Sequence, residues 1–82
     1  MSFVVTIIRD PGALNGHPEQ FAMRVAHRSQ VPALVRTMTF AAVGEHESQS
    51  IADAAHRTFG NRNTTGWKHT IRHGLTISVT KE

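Results

Sequence analysis

The 82-residue sequence predicts an α+β fold. The expected architecture is an antiparallel β-sheet of four to five strands with one helix packed on one face, in the order β-β-β-α-β-β. Three observations carry this. β-branched residues dominate residues 3–8, and period-two alternation runs through several later segments. A single stretch, residues 48–59, has apolar residues at helical spacing. The end of the chain, Trp67 to Thr80, is patterned as a hairpin about His73-Gly74.

The elements follow in order. Phe3-Val4-Val5-Thr6-Ile7-Ile8 is a continuous apolar and β-branched run, suited to a central strand. Asp10-Pro11-Gly12 breaks it, and residues 10–18 read as a mobile loop. In residues 20–28, Phe21, Met23 and Val25 alternate with Ala22, Arg24, Ala26 and Arg28. This predicts a strand with one buried face and one basic face. A helix starting at Pro18 is the rival reading. Ser29 to Pro32 reads as a turn. Residues 33–43 read as a third strand, with Leu34, Met38, Phe40 and Ala42 on one face. Arg36 falls on that face and needs an edge or a snorkelling path. Gly44 ends the run.

The helix over 48–59 has Ser48 or Ser50 as its cap and Glu45 and Glu47 near its positive end. Ile51, Ala54, Ala55, Thr58 and Phe59 form its apolar stripe. Asp53 and Arg57 are spaced for an ion pair. Gly60-Asn61 is expected to supply a left-handed cap. A polar loop over 61–66 leads into the hairpin, whose last strand turns Leu75, Ile77 and Val79 inward.

Length predicts one domain over residues 1–82. A domain this small buries only about two-thirds of the surface its unfolded chain exposes. There is no cysteine, which excludes disulfides and thiolate chemistry and fits a reducing, cytoplasmic setting. The first apolar run is six residues, too short for a membrane span, and no signal-peptide pattern accompanies it. Asn63-Thr64-Thr65 matches a glycosylation sequon by chance.

Candidate chemistry is sparse. His69 and His73 would lie about 13 Å apart on a strand and its turn, too far to share a metal. Glu45-His46-Glu47 lacks the second histidine of a metalloprotease helix. The six glycines are isolated, so there is no phosphate loop. The sequence therefore predicts no enzyme, no metal and no cofactor. The basic residues are more informative. Seven Arg and two Lys face six acids, for a net charge of +3. Arginine suits bidentate contact with carboxylate or phosphate. The six histidines add charge as pH falls below about 6.5. Arg24, Arg28 and Arg36 are expected on adjacent strands. Arg62, Lys68, His69, Arg72 and His73 are expected around the last loop and hairpin, beside Trp67. Such a set can meet protein or nucleic acid.

In layout the chain resembles the small anti-CRISPR proteins of phages and mobile elements that inhibit type I systems. The features are the opening strand (Phe3 to Ile8), the Pro/Gly loop (Asp10 to Pro18), the meander of Phe21 to Arg28 and Leu34 to Val43, and the helix Ile51-Ala52-Asp53-Ala54-Ala55 before a final hairpin. The resemblance covers most of the chain and carries over no functional residue. Members are often acidic DNA mimics, whereas this chain is basic. The resemblance thus implies contact with an acidic protein surface or the blocking of a complex.

The expected function is a non-enzymatic binding protein that inhibits a macromolecular complex. Arg62, Trp67, Lys68 and Arg72 are the expected contact residues, followed by Arg24 and Arg28. The partner is a protein or ribonucleoprotein complex. A small sheet-type DNA-binding domain and a toxin–antitoxin component are the alternatives. An uncovered sheet edge also makes a homodimer plausible on size grounds.

Overall fold

A computed structural model of the chain describes residues 2–10, 12 and 16–82. Four strands form one antiparallel sheet: β1 (Phe3–Arg9), β2 (Glu19–Val25), β3 (Gly66–Arg72) and β4 (Leu75–Lys81). Their order in space is β2-β1-β4-β3. The β-branched run of β1 thus lies in the interior of the sheet, paired on both sides. The loop before β2 lies partly outside the described residues. Gly12 and Gly16, on its described part, both have positive φ.

Between β2 and β3 runs one helical element, α1 (Val31–Phe59), preceded by a short 3-10 turn at Arg28–Gln30. The element order is therefore β-β-α-β-β. The third strand expected over 33–43 is helix instead. Its alternation of Leu34, Met38, Phe40 and Ala42 misleads, because Val31, Val35 and Thr39 recur every fourth residue and are the buried set. Pro32, expected in a turn, sits in the first helical turn, where its missing N–H costs nothing.

Gly44 breaks α1 with φ 83° and ψ 177°, a conformation reserved for glycine. A straight 29-residue helix would hold its ends about 43 Å apart. Instead the Arg28 guanidinium, just before α1, donates to the carbonyls of Phe59 and Asn61 at its far end. The arms 31–43 and 45–59 therefore fold back antiparallel over one sheet face. The second arm lies beside β3, where Ile51, Ala54 and Arg57 share a shallow groove with His69 and Ile71.

The helix expected over 48–59 is the main part of the second arm. Two of its expected caps do not form. Ser48 is buried inside the arm, its Oγ donating to the Glu45 carbonyl at 2.9 Å. Gly60 keeps right-handed geometry, and its N–H bonds to His56 O at 2.9 Å. Asp53 accepts from Gln49 Nε2 rather than pairing with Arg57. Arg36 lies within 3.9 Å of Glu45, a contact across the Gly44 break.

The core is Phe3, Val5, Ile77 and Val79 from the sheet, Val31 and Val35 from the first arm, and Ile51, Ala55 and Phe59 from the second. Each fully buried aliphatic side chain contributes about 1.5–3 kcal/mol. The inward face of β4 is as the alternation predicts, with Ile77 and Val79 buried and Leu75 half-buried. The expected strand over 20–28 is real but shorter, and its apolar face is not buried. Phe21 is 64% exposed and Met23 46% exposed, because β2 is an edge strand that the helical layer only partly covers.

The β3–β4 hairpin turns at His73-Gly74 as predicted, and only Gly74 takes a positive φ. A Cβ on Gly74 would run into the Asp10 carbonyl, whose own N–H bonds back to Gly74 O at 2.6 Å. The register shifts between Thr70 and Arg72, a bulge that sends Arg72 to the helix-covered face.

Candidate binding surface

The two ends of the strands differ in charge. The Gly44 end holds four of the six acids, Asp10, Glu19, Glu45 and Glu47, together with Arg9, Arg36 and Arg72, the last reaching Glu47 at 3.0 Å. The opposite end collects the start of β1, the end of β2, the 3-10 turn and the loop after α1. It is basic. A groove of about 550 Å³ lies on it, with walls that include His27, Arg28, Ser29, His56, Phe59 and Arg62. No acidic residue lines this groove.

Arg28 organises that end. Its Nη1 donates to the carbonyls of Asn61 (2.8 Å), Thr64 (3.2 Å) and Phe59 (3.4 Å), and its Nη2 to Arg62 O (3.0 Å). The guanidinium carbon also stands 5.3 Å from the Phe3 ring centre and 5.8 Å from that of Phe59. Those two rings meet edge to face at 5.7 Å. Arginine is suited to this, since one planar fork can serve several carbonyls while stacking on aromatic faces. Arg28 is thus a fastener between the start of the first arm and the loop after the second. Its donors are spent within the chain, and its charge still adds to the groove.

The other expected contact residues divide. Arg62 is exposed and lines the basic groove. Arg24 lies at the same end but on the uncovered sheet face, where its Nε and Nη2 grip the Glu82 carboxylate, the latter at 2.8 Å. That hydrogen bonding, and a second hydrogen bond from Ser2 at 2.9 Å, hold the Glu82 carboxyl below its usual value. Trp67 is half-buried, packs against the core and stacks on His69 at 5.7 Å. Lys68 points to the uncovered face of edge strand β3.

The expectation of one basic cluster around the final hairpin is corrected. Arg62 lies at the basic end, whereas Arg72 and His73 lie at the far end of β3, by the acidic tip. Likewise Arg24, Arg28 and Arg36 occupy a strand, a 3-10 turn and a helix rather than adjacent strands. His27 and His56, which complete the groove, escaped sequence reading because they are distant in the chain and share no spacing.

The uncovered sheet face carries Val4, Thr6, Ile8, Gln20, Ala22, Arg24, Lys68, Thr70, Thr76, Ser78 and Thr80, by register. None is aromatic. Among the described residues no three metal-ligating side chains stand together, and no helix is long and apolar enough to cross a membrane. Comparison of the chain with protein-family models, with curated proteins and with solved structures found no match.

Proposed function

We propose that this chain is a binding protein that docks its basic end on an acidic surface of a protein or ribonucleoprotein complex and blocks that complex by occupying the surface. In its sharper form this is an anti-CRISPR-like inhibitor; of the layout behind that resemblance the opening strand, the helix over 51–55 and the final hairpin remain, whereas Leu34 to Val43 is helix and not part of a meander. The observation that carries the proposal is the groove at the basic end. His27, Arg28, His56 and Arg62 converge on it with no acid among its described walls, so no carboxylate within the groove offsets the charge of Arg28 and Arg62. Arg28 locks the two loops that frame it. A preformed site loses little entropy on docking.

Acidic protein is favoured over single-stranded nucleic acid by the other face. Single-stranded nucleic acid is usually held by rings on an open sheet. Here the open face has none, and the ring of Trp67 lies on the helix side against the core.

The test is capture of partners by the tagged full chain from host lysate, with and without nuclease, read by mass spectrometry. A stoichiometric protein partner that survives nuclease supports the proposal. Recovery of nucleic acid alone, lost on nuclease treatment, overturns it in favour of DNA binding. In that case affinity for duplex DNA should fall steeply with log salt.

A further inference from the structure

We propose that the free edge of β2 is a homodimer interface, through which two copies join their sheets edge to edge into one continuous antiparallel sheet. The proposal rests on a contrast between the two edges of the four-stranded sheet. Natural sheets protect their edges with bulges, charges, prolines or cover. β3 has such devices. It is bulged between Thr70 and Arg72, it carries Lys68 and Arg72, and its apolar residues Trp67 and Ile71 pack against the core. β2 has no bulge and, among the described residues, no cover, and its charges, Glu19 and Arg24, flank an uncharged centre. It runs seven residues in unbroken register with β1, without proline, and presents Phe21 and Met23 at 64% and 46% exposure. Among the described residues these are two of the three exposed large hydrophobic side chains.

The sequence of β2 also fits a second copy of itself. A two-fold axis through Ala22 sets Phe21 of each copy opposite Met23 of the other. It sets Gln20 opposite Arg24, and Ala22 opposite Ala22. Directly opposed side chains of this kind are the units of sheet stabilisation. Phe21 and Met23 both point to the helix-covered face, so the pairing keeps the two helical layers on one side and closes a four-residue apolar cluster between them. Charge permits only one direction. Antiparallel pairing sets Arg24 opposite the neutral Gln20 and Glu19 opposite Val25, whereas in-register parallel pairing would set Arg24 against Arg24 and Glu19 against Glu19. The apolar surface continues inward from Phe21 to Ile7, Ala41 and Ala42, which share one open groove with it. A two-fold contact of this kind closes on itself and gives a dimer rather than a fibre.

Sedimentation equilibrium of the full chain over a wide concentration range tests this. A monomer–dimer equilibrium is expected. Phe21→Lys and Met23→Lys should each shift it to monomer while leaving the circular-dichroism spectrum unchanged, because both side chains lie outside the core. Register is tested separately. Ala22→Cys introduces the chain's sole thiol at the two-fold axis, where opposed Cβ atoms lie about 4.5–5.5 Å apart. Mild oxidation should link that variant into dimers and leave Thr70→Cys, on the protected edge, monomeric. A parent chain that stays monomeric throughout overturns the proposal. So does a dimer that survives both lysine variants, or cross-linking at residue 70 in place of residue 22.

Discussion

Arg28 stands half-buried between a 3-10 turn and the loop after α1, with its four donated hydrogen bonds crossing from one segment to the other. Hydrogen bonds from a charged donor contribute about 1.5–3 kcal/mol where burial shields them. Lysine has no planar fork, so it cannot serve four carbonyls and two ring faces at once. Arg28→Lys should therefore lower unfolding stability by about 2 kcal/mol, seen as a lower urea midpoint at unchanged slope. A variant as stable as the parent would contradict the fastening role. Glu82 makes a finer point. The Arg24 guanidinium, and after it the Ser2 hydroxyl, favour the ionised carboxyl, so its folded pKa lies below the ordinary 4.5. The depressed value fixes the sign: the pair's contribution is complete above pH 4.5 and is lost as pH falls through the folded value. The pair is exposed, so its effect on stability is small. Side-chain NMR titration of Glu82 should give a value below 4.5 that rises toward it in Arg24→Ala, with the Ser2 hydrogen bond still holding it down.

The helical element owes its shape to Gly44. Its φ of 83° with ψ of 177° lies where a side chain is strained, although a Cβ there would meet nothing within 4 Å. The cost of Gly44→Ala is thus conformational, about 1–3 kcal/mol. It should appear as a loss of stability in urea, and a neutral result would mean that the break tolerates other geometry. The same glycine explains what the sequence revealed of the fold and what it hid. β1, the final hairpin and the second arm declare themselves locally, through a β-branched run, a His73-Gly74 turn between alternating segments, and Ile51, Ala55 and Phe59 at helical spacing. The first arm does not. Thr37, Thr39 and Val35 have β propensity, and Gly44 marks the end of a strand as well as it marks a helix break. What decides is the stripe Val31, Val35 and Thr39, which packs only once the second arm lies beside it. Local preference was overridden by a tertiary partner. The bulge beyond Thr70 is the same kind of event on a smaller scale. Nothing in Thr70-Ile71-Arg72 announces that Arg72 will turn toward Glu47.

At the scale of the molecule the candidate surface was legible only in part. The sequence displays its arginines, but the gathering of four acids at the Gly44 end, and of Arg28 and Arg62 around an acid-free groove at the other, follows from where four antiparallel strands and two folded-back arms begin and end. That sorting separates Arg62 from Arg72, and it turns the two into a matched pair for testing. Charges near a docking site raise the rate of encounter with an oppositely charged surface, and salt screens the effect over roughly 10 Å at 0.1 M ionic strength. Arg62 lines the basic groove, whereas Arg72 lies at the acidic end and is already paired with Glu47. Once a partner is in hand, Arg62→Glu should weaken its binding by on the order of 2 kcal/mol, about thirtyfold in Kd. At low salt a large share of that loss should come from slower association, and raising the salt should shrink this share. Arg72→Glu removes the same charge from the chain and leaves the groove untouched. If net charge alone drives association, the two variants will slow it equally, and the groove will lose its claim to be the docking site. If the groove docks the partner, stopped-flow association will be slowed by Arg62→Glu far more than by Arg72→Glu, with both variants retaining the parent circular-dichroism spectrum.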